Sequence, residues 1–528
     1  MHAVRSGQLS PVLTTLARNA SFSLVSGVSS ARHAARSSSH RLHATALTAQ
    51  QSHSRLFSVQ SQRYDKRADT KETVIASNLN SGNTSSFGTG PQSSGATPDP
   101  LLSMRQGDAD IKSRSESGNE PGPLDGIRVL DLTRVLAGPY CTQVLGDLGA
   151  EIIKIENPKG GDDTRAWGPP FAKNIDPSDP SQESAYFLGV NRNKKSVTVN
   201  LRSSEGRQLI HDLIKKVDVL VENYVPGKLE EMGLGYEELS RLNPRLIYTS
   251  ITGTYHRRYG QTGPYRMRPG YDVMIEAEAG LMFITGEENG TPVKVGVAVT
   301  DLMTGLYAHG AIMAALLARY RTGRGQHIDC SLIDTQVATL ANIGSSYLIA
   351  GQEAKRMGTA HPSIVPYQVL PSKDSHIMIG AGNDGQFQIL CSVLGLDSLC
   401  EDPAYKTNKD RVRHRKELIS ILTERLKTKS NDEWIKALEG RGIPFAPINN
   451  IAQTFAHPQV VAREMIQEID HPKAGTIKMA GPAVKYSDTK PSIRIPPPVL
   501  GQHTDEVLTD MLGYDQEQIQ KLRASKVV

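Results

Sequence analysis

The sequence predicts an α/β protein whose core is a doubly wound parallel sheet, joined late in the chain by a smaller α+β domain. Three observations predict it. Short apolar runs rich in Val, Ile and Leu recur from Ile127 onward, segments of helical length separate them, and the texture changes after Pro366. Strands separated by crossover helices pair in parallel through right-handed connections, which places helices on both faces. The outline is Rossmann-like.

Ile127–Thr133 (IRVLDLT) reads as a buried strand, Pro139–Leu148 as a helix and Glu151–Glu156 (EIIKIE) as the next strand. Ser196–Leu201 (SVTVNL), a helix over Gln208–Val217 and Asp218–Glu222 (DVLVE) repeat the unit, and a further helix leads to Leu246–Ile251 (LIYTSI). Asp301–Arg319 is a long apolar helix, followed by a strand at His327–Leu332 and a helix to about Ala350. Residues 123–355 thus form the first part of a large domain. Residues 356–465 form the small domain, with a short β segment and helices over Lys416–Leu438, and 466–528 return to the large one.

The first 64 residues contain no Asp or Glu, yet carry Arg5, Arg18, Arg32, Arg36, Arg41, Arg55 and Arg63 among many Ser and Ala. This is the composition of a mitochondrial presequence, drawn inward by the membrane potential. A disordered tail is the blander reading, but tails rarely exclude acids for so long. Ser54-Arg55-Leu56-Phe57-Ser58 resembles a matrix processing site, so residues 1–57 are expected to be removed and the protein to reside in the mitochondrial matrix. The cut takes away six Arg and no acid, moving the formal charge from +5 to about −1. The basic balance therefore belongs to the presequence and gives no ground for a nucleic-acid partner.

Residues 58–122, rich in Ser, Gly, Asn and charge beyond residue 68, read as a disordered linker that cannot bury enough apolar area to order itself. No apolar run is read as long enough to span a membrane, so no membrane partner is expected. Cys141, Cys330, Cys391 and Cys400 lack the spacing of a metal site or redox pair and read as packed thiols. No metal and no permanently bound cofactor is expected.

"HIMIGAGNDGQFQIL" (376–390) places Gly380-Ala381-Gly382-Asn383-Asp384-Gly385 between an apolar strand and an apolar helix, a literal G-x-G-x-x-G. Dinucleotide binding also needs a second parallel strand ending in an acid. Here the helix runs into the polar loop GLDSLCEDPAYKT, where Glu401 and Asp402 stand at about the right distance in the wrong setting. Two readings remain from the residues alone. The glycines serve a tight turn at positive φ, or side-chain-poor backbone is needed beside a reacting group.

Several longer stretches carry a resemblance. "DLTRVLAGPYCTQVLGDLGAEIIKIENPKGGDDTR" (131–165), "VNRNKKSVTVNLRSSEGRQL" (190–209), "VENYVPGKLEEMGLGYEEL" (221–239), "RPGYD" (268–272), "VGVAVTDLMTGLYA" (295–308) and "RTGRGQHIDCSL" (321–332) resemble the class III CoA-transferases, from about Leu124 to the end. The resemblance implies transfer of CoA from a thioester such as succinyl-CoA to a dicarboxylic acid such as glutarate. It also implies an interlocked homodimer, in which Gly305 and Gly310 would permit close approach along the apolar helix.

The family's nucleophile falls on Asp301, a carboxylate that can itself become an anhydride and then a thioester. The bland reading of Asp301 is a helix N-cap beside Thr300, and both roles can coexist. The family's glycine loop falls on Gly380, Ala381, Gly382 and Asn383, where backbone amides would shield the acylated aspartate and act as oxyanion donors. The CoA contacts carry over to Leu136 and Ala137, to Val199, Asn200, Leu201 and Arg202, to Asn223, Tyr224 and Val225, and to Arg268 and Tyr271. Arg202 and Arg268 suit phosphate through two-pronged guanidinium geometry. Arg192 and Arg165 are the candidates for the far carboxylate of the acid, a structural ion pair being the competing reading for each.

Departures from the family are Leu136 in place of a glutamine, Glu231 in place of an arginine, and the inserted Thr254–Arg258. The rival of the same fold, an α-methylacyl-CoA racemase, needs a histidine where this chain has Tyr271 in Gly270-Tyr271-Asp272. A catalytically silent CoA-binding protein is a second alternative.

The mature protein is expected to begin near Ser58. N-terminal sequencing of native protein that finds residues 2–50 intact contradicts this.

Overall fold

The computed structural model of the protein describes residues 121–252, 264 and 270–528. The expected presequence, nearly all of the expected linker, Arg268 and the insertion Thr254–Arg258 lie outside the described residues.

Six strands form one wholly parallel sheet: β1 (Arg128–Asp131), β2 (Glu151–Glu156), β3 (Lys194–Thr198), β4 (Val219–Glu222), β5 (Ile247–Thr252) and β6 (His327–Ser331). Their order is β3-β2-β1-β4-β5-β6. The order reverses between β1 and β4, and a crevice opens beyond the carboxyl ends of strands at such a point. The strand expected from Ser196 begins instead at Lys194, whose side chain is fully buried. An apolar-run reading clips that lysine off; the strand keeps it because buried partners satisfy its ammonium.

Helices cover both faces. Helix α1 (Ala137–Asp147) and the 24-residue α4 (Val299–Thr322) pack on one face, with Val129, Ile152, Val221 and Ile312 in their shared core. Helix α2 (Ser204–Ile214) lies on the other face, with Leu209 and Leu213 against Leu130, Ile153 and Leu220. The chain end returns to that second face: Val507, Leu508, Ile519 and Val527 belong to the same cluster. Two bonds tie it down, from Thr198 N–H to Thr504 Oγ1 (3.1 Å) and from Asn200 N–H to the Val527 carbonyl (2.7 Å).

Helix α4 is long and apolar enough to cross a membrane by length and composition alone, contrary to the expectation from the sequence. Packing against α1 covers only part of it, through Ala308, Ile312, Ala315 and Leu316. At Gly305 a Cβ would stand 2.6 Å from the Ala137 carbonyl oxygen and 3.3 Å from the Cys141 nitrogen, so a side chain there would force the two helices apart. A Cβ on Gly310 would meet nothing within 4 Å, so the two glycines are not equivalent.

The small domain has its own antiparallel sheet, β7 (Tyr367–Pro371), β8 (His376–Gly380) and β9 (Phe445–Pro447), and its own core around Phe387, Leu418 and Trp434. Strand β8 is the middle strand of this sheet, which removes the parallel setting that a dinucleotide loop requires. None of Gly380, Gly382 and Gly385 has a positive φ, so the turn reading also fails. Helix α5 (Asp384–Leu394) begins directly behind the loop, with Asn383 as its N-cap.

Candidate active site

A cleft of about 840 Å³ lies beyond the carboxyl ends of β1 to β4. Of the residues expected to hold CoA, Val199, Asn200, Leu201, Arg202, Tyr224 and Val225 line it. Asn223 stands at the switch point and clasps the turn after β1: its Oδ1 accepts the Arg134 N–H (2.9 Å) and its Nδ2 donates to the Arg134 carbonyl (2.7 Å). Next to it, Glu222 accepts the Tyr224 N–H (2.8 Å), and burial pushes its carboxyl up to about 7. Leu136 and Ala137 are buried at the start of α1 and are not among the lining side chains.

Sequence reasoning missed the cleft's other cations. Arg134, Lys159 and Lys228 line it as well, Arg134 paired with Asp163 (2.8 Å) and Lys228 with Glu231 (2.8 Å). Glu231, where the family carries an arginine, thus neutralises a lysine at the cleft's edge.

The floor is a network of buried charge. Lys154 on β2 donates to the Thr133 carbonyl (2.8 Å) and to Asp162 Oδ2 (3.0 Å). Lys194 on β3 donates to Asp131 Oδ2 (3.0 Å), the Pro139 carbonyl (2.8 Å) and Asn191 Oδ1 (3.0 Å). Burial alone would raise the Asp131 carboxyl, but the Lys194 and Lys154 ammoniums outweigh it and hold it down to about 2. Burial in turn draws Lys194 down to about 8 against the pull of Asp131. Asp162 Oδ1 accepts the Val135 N–H (3.2 Å) and the Thr164 N–H (3.0 Å), fixing the loop that forms one wall of the cleft.

Neither arginine proposed for the far carboxylate presents a free fork. Arg192 is buried and gives Nε and Nη2 to the two oxygens of Asp147 (2.8 and 2.6 Å). Arg165 does the same to Glu156 (2.8 and 2.7 Å), with its guanidinium 3.7 Å from the centre of the Phe187 ring. Both geometries are those of structural ion pairs.

Asp301 is the third residue of α4 and makes no capping bond through its side chain. The capping role belongs to Asp272, the first residue of α3 (Asp272–Glu278), whose Oδ1 accepts the N–H groups of both Thr300 (2.8 Å) and Asp301 (3.1 Å). The sequence offered Asp301 as the cap because a cap from another element, here 29 residues away, leaves no local pattern. Burial pushes the Asp301 carboxyl up to about 7, and the neighbouring Asp272 carboxylate adds to the shift. Tyr271 stands just ahead of Asp272 and is 59% exposed, available to a ligand.

An aromatic pair stands at the cleft. Trp167, in the cleft lining, meets Tyr186 edge-on with ring centres 5.3 Å apart. Burial raises the Tyr186 hydroxyl, and the carboxylates of Asp301, Asp272 and Asp162 raise it further, which puts that hydroxyl in the field of the proposed nucleophile. Trp167 is one of only two tryptophans in the chain, the signal that could have drawn attention to it.

The hydrogen bonds of the glycine loop stay within the small domain and none reaches Asp301. Gly380 and Ala381 donate to the Pro444 and Pro366 carbonyls (both 2.9 Å), and Gly382 donates to Gln386 Oε1 (2.8 Å). Asn383 Oδ1 accepts the Gln386 N–H (2.9 Å). All of these partners belong to the small domain. Among the described residues no group of three or more metal-ligating side chains is placed to hold a metal ion.

A nucleotide-sized crevice at a sheet's switch point, together with a buried carboxyl raised to about 7, suits covalent handling of an acyl thioester. Comparison with known proteins gives the family. The family model for CoA-transferase family III matches residues 124–504. The chain is 53% identical to succinyl-CoA:glutarate CoA-transferase of Homo sapiens over 410 residues, 78% of this chain and 91% of that protein. It is 45% identical to succinate–glutarate CoA-transferase of Agrobacterium fabrum over 394 residues, 74% of this chain and 96% of that one. A solved CAIB/BAIF family protein from Brucella suis, 43% identical, superposes with a TM-score of 0.67 over 74% of this chain and 100% of its own. The chain belongs to CoA-transferase family III.

The raised carboxyl of Asp301 has a consequence for stability. Between its ordinary 3.8 and about 7 the folded protein keeps a proton that the unfolded chain has lost. The group therefore subtracts from stability as pH rises through that window, and the full deficit is present above it. Asp301→Asn is expected to raise Tm at about pH 8 and to leave it nearly unchanged near about pH 4. Thermal unfolding that shows an equal or larger benefit in acid contradicts the assignment.

Proposed function

We propose that the protein is a CoA-transferase that moves CoA from succinyl-CoA to a dicarboxylic acid such as glutarate, with Asp301 as the nucleophile. The observation that carries this reading is Asp301 itself, at the N-terminal turn of α4 and held by burial and by Asp272 near neutrality. The names of the relatives from Homo sapiens and Agrobacterium fabrum support the choice of acids.

Ionised Asp301 attacks the thioester carbonyl, the C–S bond breaks, and CoA leaves as thiolate with the electron pair on sulfur. The resulting mixed anhydride is attacked at the aspartyl carbonyl by that thiolate, which releases succinate and leaves an aspartyl-CoA thioester. The incoming dicarboxylate repeats the two steps in reverse and regains CoA, so no thioester energy is lost to water. A carboxylate with a raised pKa is the stronger nucleophile once ionised, and acylation removes its repulsion by Asp272. The CoA moiety is assigned to the 840 Å³ cleft, where Lys159 and Arg202 suit its phosphates and the Trp167–Tyr186 pair leads toward Asp301.

We assign the loop's shielding role to a second copy and the working unit to a homodimer, since the loop's hydrogen bonds stay within the small domain and none reaches Asp301. Exposed apolar side chains support this, among them Leu317 and Tyr320 on α4 and Leu348 and Ile349 beyond it. The presequence composition supports residence in mitochondria.

Asp301→Asn should abolish exchange between succinyl-CoA and glutarate while CoA still binds, and wild type incubated with succinyl-CoA should carry a hydroxylamine-labile adduct on the peptide containing Asp301. Near-normal transfer by that variant, verified free of deamidation, would falsify the mechanism. Light scattering is expected to give twice the chain mass; a monomer at micromolar concentration rules out the shared site.

A further inference from the structure

Behind Asp301 lies a second carboxyl pair that the reaction does not consume. Asp272 and Glu276 are one turn apart on α3, so their side chains share a face. Asp272 is 5% exposed and Glu276 is fully buried. One oxygen of each has backbone partners: Asp272 Oδ1 takes the Thr300 and Asp301 N–H groups, and Glu276 Oε2 takes the Val295 N–H (3.0 Å). The other oxygens, Asp272 Oδ2 and Glu276 Oε1, are buried with no donor of their own. Side chains four apart on a helix are neighbours, so each of these oxygens has the other carboxyl within reach.

Two ionised carboxylates are acceptors only and cannot satisfy one another. We propose that Asp272 and Glu276 share one proton and act as a positioning pair, which holds the N-terminus of α4, and with it Asp301, under a single negative charge. The inference rests on the reading of Asp301 as nucleophile only for its kinetic consequence; the shared proton stands on the geometry alone. Burial raises the Glu276 carboxyl, and Asp272 raises it further, the direction that retaining a proton requires.

The charged and titratable groups facing the pair are few. Asp301 stands on α4 and Tyr186 lies on the cleft side. Lys294 is exposed ahead of Val295 and donates to the Val295 carbonyl (3.2 Å). Gln336, neutral, holds the Thr300 hydroxyl (2.6 Å) from the far side of the cap. With the pair doubly ionised, two like charges would lie behind Asp301 and drive its own ionisation further out of range. With the pair doubly protonated, the cap on α4 would lose its charge-assisted bonds.

Substitution at Glu276 separates the possibilities. In Glu276→Gln the amide nitrogen can donate to Asp272 Oδ2 and the amide oxygen can accept the Val295 N–H, so hydrogen bonds and net charge are kept. Its kcat is expected to stay within about threefold of wild type. Glu276→Met fills the space and supplies no donor, so kcat is expected to fall by about tenfold or more with KM for succinyl-CoA little changed.

The direct readout is infrared. In an Asp301→Asn background at about pH 8.5, above the ordinary carboxyl range, a neutral-carboxyl band should persist and should vanish on adding Glu276→Gln. This part does not depend on turnover and decides the matter even where the Met variant fails to fold. Absence of the band, or a Gln variant as impaired as the Met variant, overturns the proposal. Failure of the nucleophile reading looks different: Asp301→Asn then keeps transfer activity while the band remains.

Discussion

The cleft depends on the two lysines buried beneath it. Lys154 on β2 and Lys194 on β3 face Asp131 on β1 and Asp162 on the loop after β2, so one charge network ties three strands to the wall of the crevice. Four ionised groups out of water are tolerable only because each has several well-placed partners; removing one member of such a pair typically costs about 3–5 kcal/mol. Apolar packing could have supplied equal stability. It could not have aimed the Val135 and Thr164 amides at Asp162, the contacts that fix the turn after β1 against the loop.

That rigidity matters because the chemistry is poised. Asp301 sits where burial and a like charge raise its carboxyl to about 7, a standing cost to the folded state. The cost is local. Gly305 lets α4 lie against α1 at backbone distance, and Asp272 anchors the helix start from another element. The reacting carboxylate is thus held by backbone geometry, with its own oxygens spared from capping.

Two kinds of arginine pairing divide the labour around this site. Arg165 and Arg192 bind Glu156 and Asp147 in two-pronged pairs and join the large sheet to the segments near Pro498 and Ala480. The cations on the cleft wall, Arg134, Lys159, Arg202 and Lys228, stay nearer to solvent. Long-range structural bonds thus use arginine in buried forks, while the ligand-facing positions keep mobile charge.

The sequence by itself determined the parallel α/β core, because strands such as EIIKIE and DVLVE carry Ile, Leu and Val on both faces and alternate with helices. It also determined the family and the small domain's separate texture. It misjudged what depends on partners distant in the chain. Local pattern leaves Lys194 outside its strand, makes Arg165 and Arg192 candidates for a substrate carboxylate as well as for ion pairs, and makes Asp301 a candidate cap of its own helix. Their true settings come from Asp131, Asp162, Glu156, Asp147 and Asp272, up to 63 residues away in the pairs that hold them. The glycines at the end of β8 matched a dinucleotide fingerprint by spacing; the missing second strand already spoke against it in the sequence, and the antiparallel pairing of β7, β8 and β9 agrees. Local pattern records which surfaces are apolar and with what period; which charge meets which is decided only when the strands are laid side by side.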